Sequence, residues 1–215
     1  MASETRKVRL SGPARRAQLL EVGRKVFAER GYEAASVEEI ADRAKVSKPI
    51  VYEHFGGKEG LYAVVVDREI QRILESITVA ISAGSPRERV EQAALAFLTY
   101  VEDEPDGFTV LSRDAPGRMS SLLSELGQRV GAIFAAEFKR AGYDPKVAPI
   151  YAHALIGMVA FVGQWWTEER KPSVETVASH LAALGWMGLR HLPRKPEKLK
   201  ARRSAVRIDR DGDQG

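Results

Sequence analysis

Apolar side chains recur along this chain at spacings of three and four residues, the period of an α-helix, and no stretch alternates as a strand would. Leu19, Val22, Gly23, Val26 and Phe27 fall on one face of a helix opened by Pro13 and ended at Gly31. Two short helices are predicted next, around 37–44 and 48–54. Longer ones follow over 58–82 and 86–103, stopped by Ala83-Gly84-Ser85-Pro86 and by Glu104-Pro105-Asp106-Gly107. A short helix at 107–113 precedes Ala115-Pro116-Gly117, and a long one over 117–141 closes at Gly142. Tyr143-Asp144-Pro145 leads into a helix to Arg170, and Lys171-Pro172-Ser173 separates it from a last helix ending near His191. The expectation is an all-α protein of nine helices without a repeat at fixed spacing. It divides into a flexible basic arm (1–13), a small helical head (14–60), a helical body (61–192) and a disordered basic tail (193–215).

Composition narrows the function. Hydrophobic residues make up 44% and charged residues 29%, as in an ordinary soluble globular protein. No apolar run is read as reaching the roughly 18 residues that span a bilayer, and Met1 to Lys7 lacks the apolar stretch of a secretory signal. A cytoplasmic protein without a membrane partner is expected. The absence of cysteine rules out disulfides, thiol catalysis and thiolate zinc sites. His54, His153, His180 and His191 form no His-x-x-x-His pair, and no Gly-x-Ser-x-Gly or phosphate-cradling glycine loop occurs. Neither an enzyme, nor a catalytic residue, nor a metal site, nor a cofactor is therefore expected; His153 and His180 read as core or interface residues.

Charge is unevenly placed. Residues 1–30 carry eight Lys/Arg against three Asp/Glu, and residues 194–210 eight against two, although the whole chain is only +4. The C-terminal run reads as a solvated tail. The N-terminal run adjoins a motif that gives it a nucleic-acid role.

That motif begins at Ser36-Val37-Glu38-Glu39, a capping box in which Ser36 and Glu39 satisfy each other's backbone N–H groups. Val37, Ile40, Ala41 and Ala44 form an apolar stripe, Lys45-Val46-Ser47 a tight turn, and Ser47 a cap for a second short helix with Pro49 in its first turn. Val51 and Phe55 point inward with Val46. Two capped helices joined by a tight turn, the second with a basic and aromatic outer face, are what a helix-turn-helix requires. Entry of that second helix into the major groove N-terminus first puts Lys48, Pro49 and Ile50 nearest the base edges, although Ile50 could pack on the core instead. Tyr52, His54 and Lys58 suit phosphate oxygens, Lys58 at the N-terminus of the next helix.

The segments Phe27-Ala28-Glu29-Arg30-Gly31-Tyr32, Ser36 to Ala41, Val46 to Phe55 and Lys58-Glu59-Gly60-Leu61-Tyr62 together resemble the TetR family of bacterial transcriptional regulators. The resemblance implies DNA-contact roles for Ser36, Lys48, Pro49, Ile50, Tyr52, His54 and Lys58. Lys45 departs from it, standing where the family usually has glycine, in a turn of left-handed conformation.

Resemblance also implies the architecture beyond Leu61: a body that dimerises through its last two long helices and encloses an effector cavity. Ile150, Ala154, Met158, Phe161 and Trp165 occupy one face of the helix 145–170, and Ala152, Ile156, Val159, Gly163 and Trp166 much of the other. A helix apolar nearly all round is expected to be buried on both sides. The last helix is similarly apolar, so the pair is expected to form a homodimer interface, with Gly157, Gly163 and Gly185 permitting close approach. Two heads then meet successive major grooves of palindromic double-stranded DNA. Candidate cavity residues are Phe97, Tyr100, Phe108, Leu111, Phe134, Phe138, Met158, Phe161 and Trp165, large and apolar on the central helices, which favours an apolar small-molecule effector. The function expected is a repressor released from its operator by that effector. The alternative is a ligand-independent regulator whose body serves dimerisation or a protein partner.

Overall fold

The computed structural model describes residues 10–194, so most of the predicted arm and tail lies outside the described residues. Among these residues there are nine α-helices and no strand: α1 (Gly12–Ala34), α2 (Val37–Ala44), α3 (Lys48–Phe55), α4 (Lys58–Ala80), α5 (Pro86–Asp103), α6 (Pro105–Thr109), α7 (Pro116–Ala141), α8 (Ala148–Glu169) and α9 (Val174–Arg190). A π-helical turn, Val110–Asp114, joins α6 to α7, and a 3-10 turn, Pro145–Val147, precedes α8. The helices start where short hydroxyl side chains occupy orphan N–H groups. Ser11 accepts from Ala14 N–H, Ser36 from Glu39 N–H and Ser173 from Thr176 N–H. Ser85 and Glu88 form a complete capping box on α5.

Two expected caps differ. The box at Ser36 is half made, because the Glu39 carboxylate turns away to Arg43 (2.6 Å) and Arg30 (3.3 Å). Ser47 makes no side-chain cap on α3. Arginine competes successfully for Glu39 because a charged partner binds a carboxylate more strongly than a backbone amide does.

Gly31 was expected to end α1, yet the helix resumes beyond it and reaches Ala34. Gly31 itself has φ 82° and ψ 161°, a kink that L-residues with a Cβ rarely adopt. The kink strands two carbonyls and an amide of α1, and the turn after α6 takes them up. Arg113 donates to Phe27 O (2.7 Å) and Ala28 O (3.1 Å), while Asp114 Oδ2 accepts from Tyr32 N–H at 3.2 Å. A break in the head is thus repaired by the body.

The core is continuous through both parts, from Leu19, Phe27, Ile40 and Val51 through Leu61 and Ile73 to Leu98 and Leu111. Gly23 allows α1 to lie close on α4, since a Cβ there would stand 2.9 Å from Leu61 Cδ2. In the body, α7 packs along α8, α9 along α5, and α5 also contacts α4 and α8. One side of α8 is buried through Ala152, Gly163 and Trp166, whose indole N–H donates to Pro172 O at 2.7 Å. Its other side is open, with Ile150 66% and Phe161 75% exposed, so burial on both sides fails within one chain. By length and composition alone Pro145–Glu169 is long and apolar enough to cross a membrane, although no such stretch was expected.

Candidate DNA interface and ligand chamber

The turn between α2 and α3 is built around Lys45, whose φ of 56° and ψ of 44° are left-handed. Lys45 N–H bonds to Asp42 O and Val46 N–H to Ala41 O, both at 3.0 Å, a Schellman closure of α2. A lysine in this conformation costs about 1 kcal/mol relative to a relaxed residue, and the two bonds offset it. The closure aims α3 outward while Val51, fully buried, fastens it to the core. Arg16 of α1 holds the far end: its guanidinium donates to His54 O at 2.6 Å and lies 4.2 Å from the centre of the Phe55 ring. No local pattern in the sequence marks Arg16, because its partners are about 38 positions away.

The predicted contact residues separate into groups. Lys48, Pro49 and Tyr52 are exposed on α3, and Ile50 is half-buried against the core, between its two expected placements. His54 is half-buried at the last turn. Ser36 is occupied as the cap of α2. Lys58 is largely committed inward: its ammonium donates to Tyr32 O (2.9 Å) and Glu33 O (3.2 Å) and sits over the Tyr32 ring. Of its three N–H donors, one remains for an outside acceptor. Lys48 is paired with Glu38, which raises the lysine's pKa and holds the Glu38 carboxyl below its usual range. Lys45, at the turn itself, is exposed and adds a cation next to α3 in the sequence.

A second candidate site lies in the body. A half-open cavity of about 120 Å³ lies among α5, α7, α8 and the ends of α4 and α9, with Ile77, Phe97, Phe134, Ile156, Met158 and Leu181 among its walls. Of the nine predicted lining residues, Phe97, Phe134 and Met158 are there. The other six lie elsewhere. Tyr100 turns from it to bond Glu69, and Phe108 and Leu111 are buried in the joint of α6 with the head. Phe138 packs on Tyr143 and Tyr151, and Phe161 and Trp165 are exposed on the outer side of α8. The predicted glycine contacts shift likewise: a Cβ on Gly163 would strike Phe97 and one on Gly185 would strike Leu155, both within the chain, while Gly157 faces open space.

Between the two sites lies a polar joint. Glu69 of α4, 1% exposed, is held by Arg72 and Tyr100. Arg72 also meets Glu104, between α5 and α6 (3.2 Å), and Glu104 and Glu21 pair with Arg24 of α1. Burial disfavours the Arg24 cation, but the Glu104 hydrogen bond and the charges of Glu21, Glu104 and Glu69 outweigh it and raise the pKa.

Comparison with known proteins agrees with this geometry. A family model described as "Bacterial regulatory proteins, tetR family" matches residues 19–65, and one described as "Tetracyclin repressor-like, C-terminal domain" matches residues 76–200. The chain is similar to the HTH-type transcriptional activator FasR of Mycolicibacterium smegmatis, 28% identical over 191 residues, covering 86% of this chain and 87% of that one. It is also similar to the crystal structure of a TetR-like transcriptional regulator from Rhodococcus sp. RHA1, with TM-score 0.71 and 27% identity over 86% of this chain and all of that one. The fatty acid degradation regulator FadR from Bacillus halodurans shares the fold, at TM-score 0.71 and 17% identity over 86% of this chain and 100% of its own. The helix-turn-helix, the helical body and these matches agree: the chain belongs to the TetR family of DNA-binding transcriptional regulators.

Proposed function

We propose that this regulator is a cytoplasmic homodimeric repressor whose head (14–60) is released from a palindromic operator when an apolar small molecule enters its body (61–192). The observation that carries the effector reading is the cavity itself. Its wall residue Phe97 lies one helical turn before Tyr100, whose hydroxyl bonds Glu69 in the joint that leads to α1. At about 120 Å³ it is smaller than the roughly 300–1,000 Å³ of typical ligand sites. A ligand of more than a few carbons that is taken fully inside would therefore spread α5, α7 and α8. By linkage, a ligand that favours the spread body weakens DNA binding only as far as DNA disfavours that body.

On α3, Lys48, Pro49 and Ile50 are proposed to read bases, with Tyr52 and His54 on phosphates; Lys45 joins them, and Lys58 and Ser36 chiefly hold the scaffold. Dimerisation is supported by the exposed stripes Ile150–Phe161–Trp165 on α8 and Leu184–Met187 on α9, which water disfavours and a two-fold contact would cover. The ligand-independent alternative lacks a role for the cavity.

Selection of oligonucleotides by the full chain tests the reading. Recovery of a two-fold symmetric site, with occupancy that falls when medium-chain apolar compounds are added, is expected. Occupancy that rises instead would overturn release by the effector and make DNA binding effector-dependent. An asymmetric single half-site, or no response to any such compound, would overturn the dimer or the effector reading respectively.

A further inference from the structure

The cavity wall carries one side-chain donor that has no acceptor among the described residues. Among its lining residues only Arg89 and Glu137 are ionisable. Glu137 is held by Arg140 of its own helix at 2.7 Å. Arg89, in the first turns of α5, has its Nε buried without a hydrogen-bond acceptor among the described residues. The nearby carboxylates are engaged elsewhere. Glu88 accepts from Ser85 N–H at 2.7 Å in the capping box, and Glu91 pairs with Arg87 at 2.7 Å. A buried donor without an acceptor is unfavourable, and more so on a cation. Folding therefore leaves the Arg89 Nε donor unmet at a wall that is apolar apart from Arg89 and Glu137.

The placement of Arg89 gives that group a direction. Pro86, Arg89, Val90, Ala93, Ala94 and Phe97 follow each other at helical spacing on the cavity side of α5. With a rise of 1.5 Å per residue, Arg89 and Phe97 stand about 12 Å apart along the axis. A molecule lying on this stripe would have its charged end at Arg89 and an apolar chain reaching Phe97, one helical turn before Tyr100.

We propose that Arg89 binds the carboxylate head of an amphipathic effector, an unbranched monocarboxylate whose chain lies along α5 toward Phe97. This inference rests on the effector reading above and names the chemistry of that effector. The guanidinium suits a carboxylate because its planar N–H groups match two oxygens at once. The bound anion supplies the acceptor that Arg89 Nε lacks.

The test uses the full chain and two probes of equal chain length, sodium decanoate and methyl decanoate, titrated calorimetrically below micelle-forming concentrations. The wild type is expected to bind decanoate at least about tenfold more tightly than the ester, the scale of a charge-assisted pair. Arg89→Gln is expected to bind both alike, with the affinity for the ester unchanged, and Arg89→Lys to keep part of the preference. The ligand-free Arg89→Gln protein is expected to melt no lower than the wild type, since it removes a buried Nε donor that has no acceptor among the described residues. Equal binding of the two probes by the wild type, or a preference that survives in Arg89→Gln, overturns the role of Arg89 and leaves the effector reading standing. Binding of neither probe overturns both. A lower melting temperature in both variants, with loss of both probes, marks Arg89 as structural and also overturns the proposal.

Discussion

The Tyr100 hydroxyl donates to Glu69 Oε2 at 3.0 Å, joining α5 to α4 across the interior of the body. Arg72 Nη1 reaches both oxygens of the same carboxylate, at 3.1 and 3.4 Å. Burial, and then the Glu69 charge, push the phenol of Tyr100 well above its ordinary pKa, so it remains a donor throughout the physiological range. Through Arg72, Glu104 and Arg24 the pair is continuous with α1, and it stands one turn from the cavity wall at Phe97.

Tyr100→Phe removes the donor and leaves a buried carboxylate oxygen short of one partner, at a cost of about 1–3 kcal/mol. Urea denaturation of the two proteins measures it, and a variant as stable as wild type would contradict the role given to this bond. Gly107→Ala should be worse. A Cβ there would stand 2.2 Å from Glu69 Oε2, so the carboxylate would be driven from both of its partners.

Arg113→Ala should loosen the head without unfolding the body. It removes the two donors that occupy Phe27 O and Ala28 O at the Gly31 kink, a loss of about 1–2 kcal/mol for a partly exposed guanidinium. Amide exchange over residues 27–34 should accelerate while that of α7 and α8 stays as it was. Uniform acceleration over the whole chain would show that the clamp serves global stability instead.

Glu38→Gln should strengthen DNA binding. The Lys48 ammonium holds the Glu38 carboxyl below the usual carboxylate range, so the pair is complete at neutral pH. Its contribution is fully present above the unfolded carboxyl value and is lost as pH falls through the lowered folded one. Glutamine releases Lys48 at neutral pH, and mobility shifts should give a lower Kd. Lys48→Ala should relax base preference, whereas Tyr52→Phe should weaken all sites alike. Affinity for each protein should fall steeply with salt, through counterion release. The same selected-sequence profile for Lys48→Ala and Tyr52→Phe would count against these roles.

Phe161→Glu should separate the proposed dimer. A charge in the middle of the exposed α8 stripe should weaken association about 30-fold or more, the scale of a hot-spot residue at ~2 kcal/mol. Sedimentation at micromolar concentration should show a dimer for the wild type and a monomer for the variant, with unchanged helicity. A monomeric wild type would remove the interface.

The chain's local order was written in its sequence, because caps, turns and helical periodicity act over a few residues. Ser36, Lys45 and the Val37–Ala44 stripe located the helix-turn-helix, and the left-handed turn at Lys45 followed from its place in the motif. Pro86, Pro116 and Gly142 marked helix ends for the same reason. What periodicity does not carry is the identity of the neighbour that each apolar stripe meets. Apolar burial is non-directional, so Phe97, Phe108, Phe138 and Phe161 looked equivalent in sequence, yet they became a cavity wall, a core residue, an aromatic contact and an open surface. Polar groups depended still more on distant partners. Tertiary packing alone turned Lys58 toward Tyr32 O, set Arg113 at the Gly31 kink, enclosed Glu69 and left Arg89 Nε without an acceptor among the described residues, because these contacts, made or withheld, lie between segments that only folding brings together.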